Sequence, residues 1–137
     1  GKLKTNGFIL HWEKKWGEFL TGNINYQFID RKAWEDVAQD YTKEMNYFGK
    51  HQLNAGVSID YGKWHGNVNG KLVGNRSEQW GVEMADYKIV NAGLRYDYTK
   101  NLFFSLHIDN LTNQEYQIHN GYPMPGRSYY FNILLNY

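Results

Sequence analysis

The chain has no cysteine, so it can build neither a disulfide framework nor a thiolate metal site. It has only 2 prolines in 137 residues. Both, Pro123 and Pro125, fall in one short stretch, which leaves the rest free to form hydrogen-bonded ladders. It has no run of 18 apolar residues, which excludes a transmembrane helix. It has almost no net charge, +1 with histidine neutral, so no bulk electrostatic argument points to nucleic acid as a partner. It contains no HExxH, no serine elbow and no phosphate-cradling glycine loop, so no catalytic residue, metal ligand or cofactor is assigned. No signal peptide is present either. Gly1-Lys2-Leu3-Lys4 runs straight into a strand-like pattern, as expected of a mature form or of a piece of a longer chain.

What the chain has in quantity is aromatic residues and glycine: 12 Tyr, 5 Trp and 14 Gly. Tyr and Trp suit half-buried strands and membrane interfaces, and glycine suits crowded barrel walls. Mean hydropathy is −0.71, a value that a barrel with a polar lumen shares with soluble proteins, because only alternate residues meet lipid. The dominant period is two. Leu102, Phe104, Leu106 and Ile108 oppose Phe103, Ser105, His107 and Asp109. Near the end, Tyr129, Phe131, Ile133, Leu135 and Tyr137 oppose Ser128, Tyr130, Asn132, Leu134 and Asn136. Such alternation places each set on one face of a strand. The same pattern predicts strands over 7–12, 20–28, 52–61, 64–72 and 90–98.

Short turns are predicted at 13–17, 62–63 and 99–101, and long connections at 30–48, 75–85 and 112–126. The first long connection is charged and aromatic, with room for a helical turn over 32–39. Short turns on one rim and long loops on the other are the layout of an up-and-down transmembrane barrel. Trp12, Trp16, Tyr61, Trp64, Tyr96, Tyr98, Phe103 and Tyr137 gather at the short-turn rim, where an interfacial girdle would fall. A soluble β-meander or lipocalin-like barrel has the same periodicity with its apolar face turned inward. The long loops, and polar faces rich in Asn and Gln rather than Lys and Glu, favour the membrane reading. On that reading Leu53, Val57, Ile59, Leu106, Ile133 and Leu135 face lipid, while Asn54, Ser58, Asn69, Lys71, Arg95 and Asp109 face the interior. Seven strands do not close a barrel: bacterial single-chain barrels have even strand numbers from about eight upward, and an open edge in lipid leaves amides unpaired.

Three segments carry a resemblance: Asp109-Asn110-Leu111, then Asn113-Gln114-Glu115-Tyr116, then Gly121-Tyr122-Pro123-Met124-Pro125-Gly126-Arg127 before an aromatic-ended strand. Together they resemble the C-terminus of TonB-dependent outer-membrane receptors, whose last strands carry D-N-L-[FT]-[DN]-x-x-Y and G-x-P-x-P-G-R. One position departs. The assembly signal of such barrels usually has Gly where this chain has Asn132. The resemblance implies an all-β fold, an antiparallel up-and-down transmembrane β-barrel. Residues 1–137 would be about seven C-terminal strands of a larger wall of about 22 strands around a plug, with the plug domain and earlier strands absent. It also implies a Gram-negative outer-membrane location. The function implied is active transport of a scarce ligand of ferric-siderophore, haem or cobalamin type, by a receptor that is not an enzyme. The implied partners are outer-membrane lipid, the barrel-assembly machinery, the rest of the receptor, and a TonB-type energy transducer reached through the missing N-terminal part. Alternatives are a passive porin or structural outer-membrane barrel and, against the missing catalytic motifs, an enzyme embedded in one.

Ligand contact is expected from the long loops, with Trp34, Tyr41, Tyr47, Trp80, Tyr116, His119 and Tyr122 as candidates. Aromatic loop tips can cover an apolar or chelated ligand at low entropic cost. The assembly signal is expected in Phe131, Ile133, Leu135 and Tyr137. His107 and Asp109 share a strand face and are expected to orient each other as a lumen-lining pair. Lys71 and Arg95 are expected to pair with Asp60, Asp97 and Asp109, and Arg127 to anchor a loop.

Overall fold

The computed structural model describes every residue except Gly1, Met45, Tyr47, 78–81 and Tyr137, and of Thr42 and Lys43 the backbone alone. The described regular structure is all strand: β1 (Leu3–Trp16), β2 (Leu20–Glu35), β3 (Asp40–Glu44), β4 (His51–Tyr61), β5 (Trp64–Gly74), β6 (Arg76–Ser77), β7 (Glu83–Met84), β8 (Tyr87–Asp97), β9 (Leu102–Asp109), β10 (Gln117–His119), β11 (Tyr122–Pro123) and β12 (Ser128–Leu135). The wall runs β1-β2-β4-β5-β8-β9-β12, each neighbour antiparallel. β3 pairs with the far end of β2, while β6–β7 and β10–β11 are separate ribbons. The sheet is open, with β1 at one edge and β12 at the other.

Face matching fixes the register. Val57 stands opposite Gly22 and Val68, Val68 opposite Ala92, Ala92 opposite Ile108, and Ile108 opposite Tyr129. One residue along, Ser58 stands opposite Thr21 and Asn67, Asn67 opposite Gly93, Gly93 opposite His107, and His107 opposite Tyr130. A one-residue slip anywhere would set aliphatic side chains among amides. By this register the residues predicted for the two faces separate as expected, one side aliphatic and aromatic, the other amide-rich. The apolar side is uncovered: Val57 is 45% and Ile133 61% exposed. Among the described residues only Val73 and Ile89 are buried hydrophobics, and both lie on the polar side beneath the long-loop rim.

Aromatic rings cap the apolar face at both ends. At the short-turn rim Trp64 and Tyr96 lie 4.5 Å apart, Phe19 and Tyr61 5.2 Å, and Trp12 and Trp16 5.9 Å. Toward the long loops, Phe8, Tyr26, Phe28 and His51 form a second group, in which the Tyr26 hydroxyl is 2.6 Å from His51 Nδ1. Phe8 and Trp16 are separated by roughly 26 Å along an extended strand at ~3.3 Å per residue, close to the height of a barrel's apolar band.

The structure corrects several boundaries. Residues 13–16 belong to β1, and the turn falls at 17–19, with Gly17 at a φ of 62°. Residues 30–35 extend β2, and no helical turn forms over 32–39; the chain turns at 36–39 and returns as β3. Backbone pairing continues there because the ladder needs no apolar side chains: Leu3 pairs with Ala33 as surely as Trp12 with Ile24. Phe103, placed in the girdle by sequence, lies on the polar side instead, where Asp97 is its cross-strand neighbour and the Arg95 guanidinium stands 5.6 Å from its ring centre. The two-residue turn at Gly62-Lys63 is as predicted, with Gly62 at the positive φ (58°) that hairpin turns of this length require.

Candidate functional site: the long-loop rim

The segment after β9 is a clasp. Asn110 is 3% exposed and sits at φ 52°, a left-handed conformation that Asn tolerates better than most residues. Its backbone N–H donates to Asn91 Oδ1 (2.9 Å), its Oδ1 accepts the Gln114 N–H (2.8 Å), and its Nδ2 donates to the Gln114 carbonyl (2.8 Å). The Leu111 N–H donates to the Val90 carbonyl at 2.7 Å, fastening the clasp to β8. Asn113, also left-handed, accepts the Arg127 N–H at 2.9 Å through its Oδ1. A Cβ at Gly126 would stand 2.6 Å from that same oxygen, so the close approach needs glycine. Arg127 reaches back to the Leu111 carbonyl at 3.4 Å and anchors the loop, as expected. The motif that carried the resemblance thus closes both ends of the 112–126 loop on the wall.

Arg76 ties this loop to the neighbouring one. Its guanidinium donates to the carbonyls of Ala85 (2.9 Å) and Ile118 (2.6 Å) and lies 4.7 Å from the centre of the Tyr87 ring. Tyr87 in turn packs on Tyr116, their rings 4.8 Å apart. Between the loops lies a cleft of about 790 Å³, lined by Arg76, Glu83, Met84, Asp86, Gln114, Glu115, Tyr116 and Met124 among others. Beside it Asn46 is fully buried; its carbonyl accepts the Ser77 N–H, its N–H donates to Ser77 Oγ, and its Oδ1 accepts the Arg31 N–H. Loop joins loop through backbone groups, which makes the rim one connected platform.

The sequence candidates scatter over this platform. Tyr116 lines the cleft. His119 and Tyr122 pair across the β10–β11 ribbon outside it, with Tyr122 73% exposed. Trp34 and Tyr41 meet edge to face at 5.2 Å on the β2–β3 hairpin, where the Trp34 indole N–H donates to Asp36. Tyr47 and Trp80 lie outside the described residues. Sequence reasoning missed Arg76, Glu83, Met84, Asp86 and Met124 as cleft lining. They come from two loops distant in sequence, and the one available signal was the Asn75-Arg76-Ser77 turn, with Asn75 at φ 52°.

On the polar face of the wall, His107 Nε2 and Asp109 Oδ1 stand 2.6 Å apart, as the spacing suggested. Arg95 Nε donates to Asp97 at 2.8 Å. Asp60 and Asp97 are joined through His65, whose Nδ1 is 2.5 Å from Asp60 and whose Nε2 is 2.8 Å from Asp97. Lys71 departs from expectation and forms no ion pair among the described residues. Its cross-strand neighbours are Asn54 and Ile89, and Asp60 and Asp97 lie farther toward the short-turn rim. No cluster of three or more His, Asp or Glu fit to hold a metal ion occurs among the described residues. Phe131, Ile133 and Leu135 project from the edge strand β12 on the apolar side, each more than half exposed, and Tyr137 lies outside the described residues.

No protein-family model matches the chain. Vitamin B12 transporter BtuB of Vibrio cholerae serotype O1 is 29% identical over 124 residues, covering 85% of this chain and 20% of the relative. The chain therefore spans about a fifth of the length of the curated relatives it matches. Among solved structures, copper transporter OprC superposes with a TM-score of 0.77 at 14% identity, over 97% of this chain and 24% of the other. P. aeruginosa FpvA, solved bound to heterologous pyoverdines, superposes at 0.78 and 16% identity, over 97% and 19%. BtuB and OprC are transporters by name, and the fold that OprC and FpvA share with this chain is an antiparallel barrel wall. Over 85% of its length the chain is thus similar in sequence to a vitamin B12 transporter, and it shares its antiparallel barrel-wall fold with OprC and FpvA.

Proposed function

We propose that residues 1–137 are the C-terminal part of a larger active-transport receptor, to which they contribute barrel wall, ligand-facing loops and the assembly signal. The observation that carries this reading is the separation of faces through the middle of an open, seven-stranded wall path. An apolar surface this continuous has to be covered, and lipid covers it without leaving the backbone of the wall unpaired, provided further strands close the edges. The polar side then faces the lumen, where the plug belongs, and the transducer acts through a part beyond this segment. The cleft lined by Arg76 and Tyr116 lies where a ligand would first arrive, and scarce ligands of cobalamin, ferric-siderophore or haem type match its size class. Phe131, Ile133, Leu135 and Tyr137 serve the assembly machinery.

The test is uptake by cells carrying the complete receptor, with labelled vitamin B12, ferric siderophore and haem offered in turn. Saturable uptake of one of them that stops when the proton-motive force is collapsed is expected; uptake that persists and does not saturate would show a passive pore. In the same receptor Tyr116→Ala should weaken the affinity for the transported ligand by about tenfold, the usual scale of a lost aromatic anchor. Unchanged affinity would show that Tyr116 only packs its loop against Tyr87.

A further inference from the structure

The cleft between the 75–86 and 112–126 segments has a charge as well as a size. Together these segments contain one arginine and no lysine, Arg76 standing against Glu78, Glu83, Asp86 and Glu115. Glu78 lies outside the described residues; the other four all line the cleft. Arg76 is 4% exposed, and its guanidinium donates to the Ala85 and Ile118 carbonyls at 2.9 and 2.6 Å. Those donors hold loop to loop and are not presented as a fork to a ligand carboxylate. The carboxylates are placed differently. Glu83 and Glu115 are exposed, and among the described residues neither has a lysine, arginine or histidine within ion-pair distance. Asp86 is exposed too, and it accepts the Asn75 N–H at 3.0 Å, a group with no net charge to cancel its own. Gln114 adds a carboxamide to the same lining. Three carboxylates against one committed guanidinium leave the cleft negative.

We propose that this cleft selects its ligand by charge: it takes a neutral or cationic metal chelate, a corrinoid with its amides intact or a ferric hydroxamate, and refuses an anionic one, with Glu83 and Glu115 setting the selection. The inference rests on the cleft being the ligand site proposed above, and it narrows the ligand class of that site. A ferric tricatecholate, or a haem with its propionates, brings negative charge to a lining that is already negative, where like charges repel and no second cation compensates. Ligand amides meet no such penalty, because an ionised carboxylate accepts hydrogen bonds from their N–H groups and the Gln114 carboxamide both donates and accepts. The same sign acts at longer range. A rim of negative charge lowers the local concentration of anionic ligands and raises that of cationic ones.

The test uses cells carrying the complete receptor and matched pairs of ligands that differ in charge at nearly constant shape. One pair is a corrinoid with all its side-chain amides and its monocarboxylate; the other is a ferric trihydroxamate with a free amine and its succinylated form. Affinity per inserted receptor is the readout, so a change in surface abundance does not enter it. In the pair that is taken up, the less negative member should bind about tenfold more tightly, the order expected of a unit charge facing two or three carboxylates at ~8 Å in watery surroundings. That preference should fall as salt is raised. In Glu83→Gln/Glu115→Gln it should shrink to about threefold or less, while Glu18→Gln, on the opposite rim, should leave it as in wild type. Equal affinity for both members in wild type would overturn the selection, as would a preference that the double variant keeps in full. Energy-dependent uptake of haem or a ferric tricatecholate, with neither matched pair taken up, would overturn the selection and leave the transport reading standing. Energy-dependent uptake of none of these ligands would overturn that reading, and this inference with it.

Discussion

Val57→Arg should destabilise the inserted barrel by about 2–4 kcal/mol, the penalty for a guanidinium near the middle of a bilayer. Ser58→Arg, one residue along, should cost about 0.5 kcal/mol or less, because its side chain enters the polar side. The contrast follows from register. Val57 is flanked by Gly22 and Val68, whereas Ser58 is flanked by Thr21 and Asn67. The residues around Val57 on that side, Leu20, Ile24, Ala55, Ile59 and Val68 among them, offer the guanidinium no side-chain hydrogen-bond acceptor, so it must snorkel several residues or drag water into the wall. The measurement is urea unfolding of the complete receptor in lipid vesicles, with both variants compared under one set of conditions. Equal losses at the two positions would contradict the separation of faces.

Asn110→Ala should have the next largest effect, about 2–3 kcal/mol, and should free the 112–126 loop. Two components add. Alanine at a φ of 52° is strained by roughly 1 kcal/mol. The lost carboxamide also leaves both the N–H and the carbonyl of Gln114 without their partner in a part-buried site. Asn110→Gly separates the two, since glycine accepts the backbone angle but restores no hydrogen bond; it should recover about 1 kcal/mol of the loss. Protease cleavage within 112–126 should rise in both variants. Cleavage rates equal to wild type would mean that Arg76 and Arg127 hold the loop without the clasp.

The wall was legible because its information is local: a period of two, repeated, with the same amide-or-aliphatic choice on every strand. The turn at Gly62-Lys63 and the His107–Asp109 pair were legible for the same reason, being set by neighbours two residues apart. Strand ends were not. Charged residues such as Asp30, Arg31 and Lys32 read as loop, yet their backbones continue the ladder because the partner strand β1 extends as far. The start of β8 was hidden by an inverted pattern: Ile89 lies on the polar side, 9% exposed under the loops, while Lys88 stands opposite Leu72 on the apolar side. The cleft was the least legible part. Its lining depends on which loop leans on which, and that is set by single long-range hydrogen bonds such as Arg76 to the Ile118 carbonyl. Asn110 and Gly126 could be recognised as a motif, but their work as a clasp is visible only in the backbone angles and the close approach at Asn113.

The central claim is that the apolar side of this wall meets lipid and the polar side meets water. Because the segment has no cysteine of its own, single cysteines placed one at a time from residue 52 to residue 59 can report on each position separately. In the complete receptor reconstituted into vesicles, nitroxides on these cysteines would be exposed to oxygen, which concentrates in the bilayer, and to a water-soluble nickel chelate. The account predicts a period of two, with oxygen accessibility peaking at Leu53, Val57 and Ile59 and chelate accessibility peaking at Asn54 and Ser58. The same period with the phases exchanged, or no period at all, would contradict it.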